Sequence, residues 1–260
     1  MEIVIINPNT DTAMTASLET AAKQVAPAGV TIRAVTAEFG PPLLTRRRDI
    51  AVATGAVLAA VSKHSECAGA FVLASVSDPA LEAAREVAPV PVVALCEAAT
   101  YQACQLGSRV GLLFSAPEMI PAIEEKLRAY GLADRVCGIR TPSSSPVDGP
   151  TLRREDLIAT YADLGRRLVM ETRAEVLVLG GGPLIGLASE LQTQLPVPVI
   201  DAVECAVLQA YVLARLKPKK PSVGSFSYPP KVAVTGTGAD LQRLFLVGLA
   251  RGTTKPENAG

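Results

Sequence analysis

Four short segments of small and polar residues could carry chemistry, because each joins an apolar strand pattern to a helical pattern. In chain order they are Asn7-Pro-Asn-Thr10, Ser75-Val-Ser-Asp78, Ser115-Ala-Pro117 and Gly180-Gly-Gly-Pro183. In open parallel sheets, ligands bind beyond the carboxyl ends of the strands. Helix N-termini there offer unpaired N–H groups to an anion. The four segments therefore predict one cleft that holds a small anion without a lysine or an arginine.

Several side chains in these segments could bind or act on such a ligand. Asn9 and Thr10 can donate to a substrate oxygen, although one of them could instead cap the next helix. Ser75 ends a strand pattern and is expected to face the cleft. Ser77 or Asp78 is the expected cap of the helix that follows.

Other sequence features limit the chemistry. The Gly180–Gly182 run lets the backbone approach a ligand closely, or it forms a tight turn with nothing bound. Cys96 follows the strand pattern Pro91–Leu95 and would lie at the rim of the cleft, unless it is only a small buried hydrophobe. His64 is the single histidine, and the chain has no metal-ligand spacing, no phosphate-binding loop and no dinucleotide-binding glycine pattern. We expect neither a metal nor a cofactor.

The elements that must position these loops occur twice. Leu73–Leu81 resembles Leu179–Leu187, and Pro91–Glu97 resembles Pro198–Glu204 at a spacing of 107 residues. The strand pattern of the first residues recurs at Val110–Phe114 with the same spacing. Alternating strand and helix patterns indicate parallel sheets covered by helices. The sequence therefore predicts an α/β fold of two pseudo-symmetric domains, each a parallel sheet flanked by helices, with the active-site cleft between them.

The repeat also predicts where the domains begin and end. We expect residues 1–98 together with 203–250 to form the first domain, because the helix after Cys205 could cross back to pack on the first half. Residues 99–202 are expected to form the second domain, and residues 251–260 a tail. A helical pattern covers Ala239–Leu249.

Composition argues against several classes of partner. With 25 basic and 25 acidic residues the formal net charge is zero, so we expect no binding to nucleic acid or to a membrane surface. The chain begins directly with a strand pattern instead of a signal peptide, and no apolar run reaches the roughly 18 residues that span a bilayer. Five cysteines without paired spacing indicate free thiols. We expect a cytoplasmic protein.

Four motifs resemble one known family: Ile6-Asn-Pro-Asn-Thr10, Ser77-Asp-Pro-Ala-Leu81, Pro198-Val-Ile-Asp201 and Gly224-Ser-Phe-Ser-Tyr-Pro-Pro230. Together they are similar to the aspartate/glutamate/hydantoin racemase superfamily, and most of all to its hydantoin racemase branch. The resemblance implies two α/β domains, a site between them and a homo-oligomer. It also implies one cysteine in each half, acting on opposite faces of the substrate's α-carbon.

The family motif would place these cysteines at Ser75 and Gly181, and both are absent. A thiol has a pKa of about 8.5 and can take a proton near neutral pH, whereas a serine hydroxyl cannot do so unaided. Two-base racemisation through these positions is therefore not expected. Ser75 and Cys96 remain the candidate catalytic residues, and the candidate substrate-binding residues are Asn9, Thr10, Val76, Ser77, Ser115, Gly181, Gly182 and Pro183.

Three functions are compatible with this sequence. The first is a cofactor-independent lyase or hydrolase that acts next to a carboxylate, imide or ureide carbonyl, with Ser75 as nucleophile or hydrogen-bond donor to an enolate or oxyanion. The second is a racemase of hydantoin or allantoin type that uses Cys96 or a carboxylate such as Glu97 instead. The third is a catalytically inactive protein that binds a small anion. In each case the ligand is a small anion or a cyclic amide.

Overall fold

The computed structural model describes residues 1–143 and 153–246. Its strands are β1 (Glu2–Asn7), β2 (Thr31–Thr36), β3 (Ala70–Leu73), β4 (Val92–Ala94), β5 (Val110–Leu113), β6 (Val136–Arg140), β7 (Val176–Leu179) and β8 (Val199–Asp201). Its α-helices are α1 (Thr12–Val25), α2 (Arg47–His64), α3 (Leu81–Val87), α4 (Leu95–Leu106), α5 (Ile120–Ala129), α6 (Arg154–Thr172), α7 (Ala188–Gln192), α8 (Ala202–Leu216) and α9 (Ala239–Leu246).

The strands form two parallel sheets of the same design. The order is β2-β1-β3-β4 in the first sheet and β6-β5-β7-β8 in the second. Residues Ile3–Ile6 of β1 and all residues of β3, β5 and β7 are buried, as expected for central strands covered by helices on both faces. The predicted α/β fold with two helix-flanked parallel sheets is confirmed.

The sequence predicted one spacing of 107 residues throughout the repeat. The structure corrects this, because the spacing differs between strands. Ile5 pairs with Val72 in the first sheet, and Leu112 pairs with Val178 in the second. Leu112 lies 107 positions after Ile5, but Val178 lies only 106 positions after Val72. Position 75 therefore corresponds to position 181, while positions in β4 correspond to those 107 residues later in β8.

Helices α4 and α8 begin earlier than the sequence indicated. The expected strand Pro91–Leu95 ends at Ala94, and α4 starts with the next residue. Likewise α8 begins at Ala202 and not after Cys205. Cys96 consequently lies in the first turn of a helix and not at the end of a strand.

The same two helices join the halves. Helix α8 packs against β3, β4 and α1 of the first half, whereas α4 contacts β5, β7 and β8 of the second. The expected domain boundary between residues 98 and 99 falls inside α4. One core cluster contains Ile5 and Val72 of the first sheet together with Leu112 and Val178 of the second. The two sheets thus share a continuous apolar core.

The C-terminal region is described only as far as residue 246. The expected helix Ala239–Leu249 appears as Ala239–Leu246, and residues 247–249 and the expected tail 251–260 lie outside the described residues. Within the described ranges, no helix is long and apolar enough to cross a membrane. The same ranges contain no group of three or more His, Cys, Asp or Glu residues arranged to hold a metal ion.

Candidate active site

A cavity lies where the carboxyl ends of the two sheets face each other. Its walls come from the loops after β1, β3, β5 and β7, from α1 and from the start of α8. Leu43 and Leu44, in the segment after β2, also contribute to the wall. Most of the lining is apolar, and its polar side chains are Asn9, Ser75, Ser77, Ser115 and Asp201. A few polar groups in an apolar cleft are typical of small-molecule sites.

The loop after β3 presents two hydroxyl groups. Ser75 Oγ lies 2.9 Å from Ser77 Oγ, and the Ser77 N–H is 3.4 Å from Ser75 Oγ. Ser77 is buried, whereas Ser75 is partly exposed. The Ser77 side chain therefore orients the Ser75 hydroxyl, which is the more accessible of the two.

The loop after β7 has a backbone conformation that only glycine adopts without strain. Gly181 has φ 117° and ψ 148°, which lies beside the region of backbone space that is essentially restricted to glycine. A Cβ atom at this position would also lie 2.5 Å from Ser115 Oγ. The cavity wall therefore has no room for a side chain at position 181, and the Ser115 hydroxyl lies there instead.

Backbone donors surround the same space. In the described part of the chain, the N–H groups of Val76, Gly181 and Gly182 donate to no other atom of the protein. All three residues line the cavity. Unpaired N–H groups in the wall of a cavity are candidate donors to a developing oxyanion.

Asn9 adds a side-chain donor. Its amide oxygen accepts hydrogen bonds from Asn7 Nδ2 at 2.8 Å and from the Asp11 N–H at 2.9 Å. Its amide nitrogen lies 3.2 Å from Met14 Sδ, and both Asn9 and Met14 line the cavity. A thioether is a weak acceptor, so this amide can donate to a ligand. Asp11, and not Asn9 or Thr10, caps α1.

Asp201 is the one titratable side chain among the described residues of the cavity wall, and the sequence did not single it out as a site residue. Its Oδ1 accepts from the Val203 N–H at 2.7 Å and from the Glu204 N–H at 3.3 Å, and its Oδ2 accepts from the Gly186 N–H at 3.2 Å. Burial raises the pKa of Asp201, against the lowering effect of these N–H groups. The available signal was a strand that ends in aspartate directly before a helix.

Most of the residues proposed from the sequence line the cavity, and three do not. Thr10, Pro183 and Cys96 are not part of its wall. The Cys96 thiol is buried in the first turn of α4, where desolvation and then the nearby Asp78 carboxylate raise its pKa well above the ordinary value. A thiol that resists ionisation is a poor base or nucleophile. Cys96 is therefore not a candidate catalytic residue in this structure.

Asp78 connects the Ser75 loop to two helices. The expected cap of α3 is wrong for both candidates: residue Ala80 takes that position without any side-chain cap. The Asp78 carboxylate instead accepts from the Cys96 and Glu97 N–H groups at 3.0 and 2.9 Å, and from Tyr130 Oη at 2.9 Å. It thus caps α4 and links the Ser75 loop to Tyr130, the residue directly after α5 in the other half.

Comparisons with known proteins identify the family. The family model described as Asp/Glu/Hydantoin racemase matches residues 3–210. The chain belongs to this family. A hydantoin racemase from Pseudomonas sp. (strain NS671) is 34% identical over 237 residues, which cover 91% of this chain and 95% of the relative. The resemblance seen in the sequence motifs is confirmed, and so is an enzyme of the hydantoin racemase family.

Solved structures agree with this placement. An allantoin racemase from Klebsiella pneumoniae superimposes with a TM-score of 0.84 and 32% identity, covering 94% of this chain and 98% of that one. An arylmalonate decarboxylase superimposes with a TM-score of 0.61 at 19% identity, covering 82% and 92%. The likeness to the decarboxylase concerns the fold alone.

The backbone conformation at Gly181 should restrict this position to glycine. We expect Gly181→Ala to lower the free energy of unfolding by roughly 2–4 kcal/mol, because it combines a strained φ with the contact to Ser115. Gly131→Ala is the matched control: Gly131 also has a positive φ, of 70°, but nothing lies within 4 Å of its Cβ position. Urea denaturation of both variants measures the difference, and equal losses would show that the Ser115 contact is not restrictive.

Proposed function

We propose that this enzyme acts on the carbon next to the carbonyl of a small cyclic ureide or imide, through an enolate held by the cavity's N–H groups. The relatives that support this substrate class are a hydantoin racemase and an allantoin racemase. Both names refer to five-membered rings with a carbonyl beside a carbon that carries hydrogen. The donors at Val76, Gly181 and Gly182, with the Asn9 amide, suit the oxygen of such an enolate.

We propose that a single residue carries the proton, on one face of the reacting carbon. The conformation of Gly181 is the observation that supports this proposal. Racemisation by two bases needs a proton carrier on each face of the reacting carbon. The positions that would carry the family's two thiols are Ser75 and Gly181, and neither of these residues, nor the Ser115 hydroxyl beside Gly181, can act as a base near neutral pH. Bond cleavage next to the carbonyl, as in a lyase or hydrolase, or proton exchange on one face, requires only one carrier.

Racemisation itself is the second candidate. It is favoured by the relatives, a hydantoin racemase and an allantoin racemase, which this chain matches over nearly their whole length. In that case a group other than a thiol at Gly181 must deliver the proton to the second face. The two candidates differ in the configuration of the recovered substrate.

The test is to incubate single enantiomers of 5-methylhydantoin and of allantoin with the protein in D₂O. We expect deuterium at the ring carbon with retained configuration, or a cleaved product, each well above an enzyme-free control. Mass spectrometry measures the exchange and chiral chromatography the configuration. Deuterium together with inverted configuration would support the racemase instead. Binding that raises the melting temperature without any exchange or product would contradict both and indicate a binding protein.

A further inference from the structure

The proposed reaction needs one proton carrier, and the wall of the cavity offers a single candidate. Among the described residues that line the cavity, Asp201 is the one with a titratable side chain. It is the last residue of β8 and is paired in register with Leu179, directly before the glycine run of the β7 loop. Its carboxylate therefore belongs to the same edge of the sheet as the backbone donors of Gly181 and Gly182.

The hydrogen bonds of Asp201 leave room for a proton. A carboxylate offers about four lone-pair positions, two on each oxygen. Oδ1 accepts from two N–H groups of α8, whereas Oδ2 accepts from the Gly186 N–H alone. Oδ2 thus keeps one acceptor position while the backbone holds the carboxylate in a single orientation. Since burial disfavours the charged form, the group is suited to hold a proton nearer to neutral pH than an exposed aspartate.

The other half of the molecule has no such carboxylate at the matching position. Leu73 of β3 is paired with Ala94 of β4, just as Leu179 is paired with Asp201 in the second sheet. The N–H groups at the start of α4 are capped by Asp78, which is fully buried and does not line the cavity. The repeat therefore places one carboxylate in the cavity wall on one side of the cleft, with only 2% of Asp201 exposed.

We propose that Asp201 is the catalytic acid–base residue of this enzyme, a step that rests on the proposed enolate chemistry. The Asp201 carboxylate takes the proton from the ring carbon next to the carbonyl. The C–H bond breaks, an O–H bond forms on Oδ2, and the electron pair moves into the enolate, whose oxygen the backbone donors hold. The same carboxyl then returns a proton to the same face of the carbon, so configuration is retained.

Kinetics of Asp201→Asn test this directly. We expect deuterium exchange of 5-methylhydantoin to fall at least about 100-fold, as for the loss of a general base. Asparagine keeps an oxygen that can cap α8, and Asp201→Ser is a second variant with a capping hydroxyl and no titratable group. Asp49→Asn is the matched control, because Asp49 accepts from the Thr45 and Arg46 N–H groups but does not line the cavity. Exchange at the wild-type rate in either Asp201 variant would overturn the proposal.

A binding measurement tests Asp201 even if no substrate turns over. Barbiturate is a planar cyclic ureide anion that mimics the enolate. When it binds beside Asp201, the carboxylate should take up a proton, which calorimetry in buffers of different ionisation enthalpy measures. We expect uptake in the wild type and in Asp49→Asn, and none in Asp201→Asn. Uptake without turnover would retain Asp201 and reject the proposed reaction. Binding of barbiturate without proton uptake in the wild type, or no binding at all, would reject Asp201 as the acid–base residue.

Discussion

Replacing Ser75 by alanine is expected to lower kcat/KM for the proposed reaction by about 10²–10³-fold, the usual effect of losing one donor to an oxyanion. Ser75 is partly exposed at the end of β3 and lines the cavity. It corresponds to Gly181 in the repeat, so in the proposed reaction it would face the reacting carbon from the other half. The measurement is the rate of deuterium exchange or product formation, together with the melting temperature.

Two further variants separate the roles of the Ser75 hydroxyl. Ser77→Ala removes the hydroxyl that lies 2.9 Å from Ser75 Oγ and orients it, so a smaller loss of about 10-fold is expected. Ser75→Cys places a thiol where the family motif would have one. We expect it to add a thiolate-dependent exchange that rises with pH toward the ordinary thiol pKa of about 8.5. Unchanged activity in Ser75→Ala would show that Ser75 has no role in the reaction.

The parts of the fold that the sequence predicted correctly depend on local patterns. Runs such as Ile3–Ile6 and Val176–Leu179 are apolar throughout, because helices cover both faces of the sheet. The repeat places strand ends side by side, and the positions of Ser75, Ser115 and Gly181 around one cavity follow from parallel topology.

The start of α4 could not be predicted from neighbouring residues. No capping side chain precedes this helix: its N-cap is Ala94, and the acceptor comes from Asp78, 18 residues before Cys96. Because no local residue marks the start of the helix, the strand was predicted to extend to Leu95, which placed Cys96 at the rim of the cleft. The position of Asp201 in the cavity wall was missed for the opposite reason: an aspartate before a helix is read as a cap, and the sequence does not show that the same carboxylate lines the cavity.

The largest loss of stability is expected from Asp78→Ala. This side chain is fully buried and accepts from two N–H groups of α4 and from Tyr130 of the other half. Alanine would leave three donors without an acceptor, one of them buried and two partly buried, which costs roughly 3–5 kcal/mol in total. Asp78 also has φ 45°, a conformation that aspartate and asparagine tolerate better than alanine. Urea denaturation gives the change in the free energy of unfolding.

The same carboxyl should make stability depend on pH. Burial raises the pKa of Asp78 to about 7, although the two N–H groups, Tyr130 and the nearby Glu97 also act on it. The folded state then holds a proton that the unfolded chain releases near pH 4, so stability from this group is present below about pH 4 and is lost as pH rises toward 7. The expected slope approaches about 1.4 kcal/mol per pH unit in that window.

Asp78→Asn separates this titration from the hydrogen bonds. Asparagine keeps an acceptor for α4 and tolerates the positive φ but cannot ionise, so the slope between pH 4 and 7 should disappear while much of the stability remains. Tyr130→Phe is the matched control: it removes the bond between the halves, at a cost of about 1 kcal/mol, and leaves a titrating carboxyl. A slope that persists unchanged in Asp78→Asn would assign the pH dependence to other groups, and the Asp78 carboxyl would then be ionised throughout the range by its three donors.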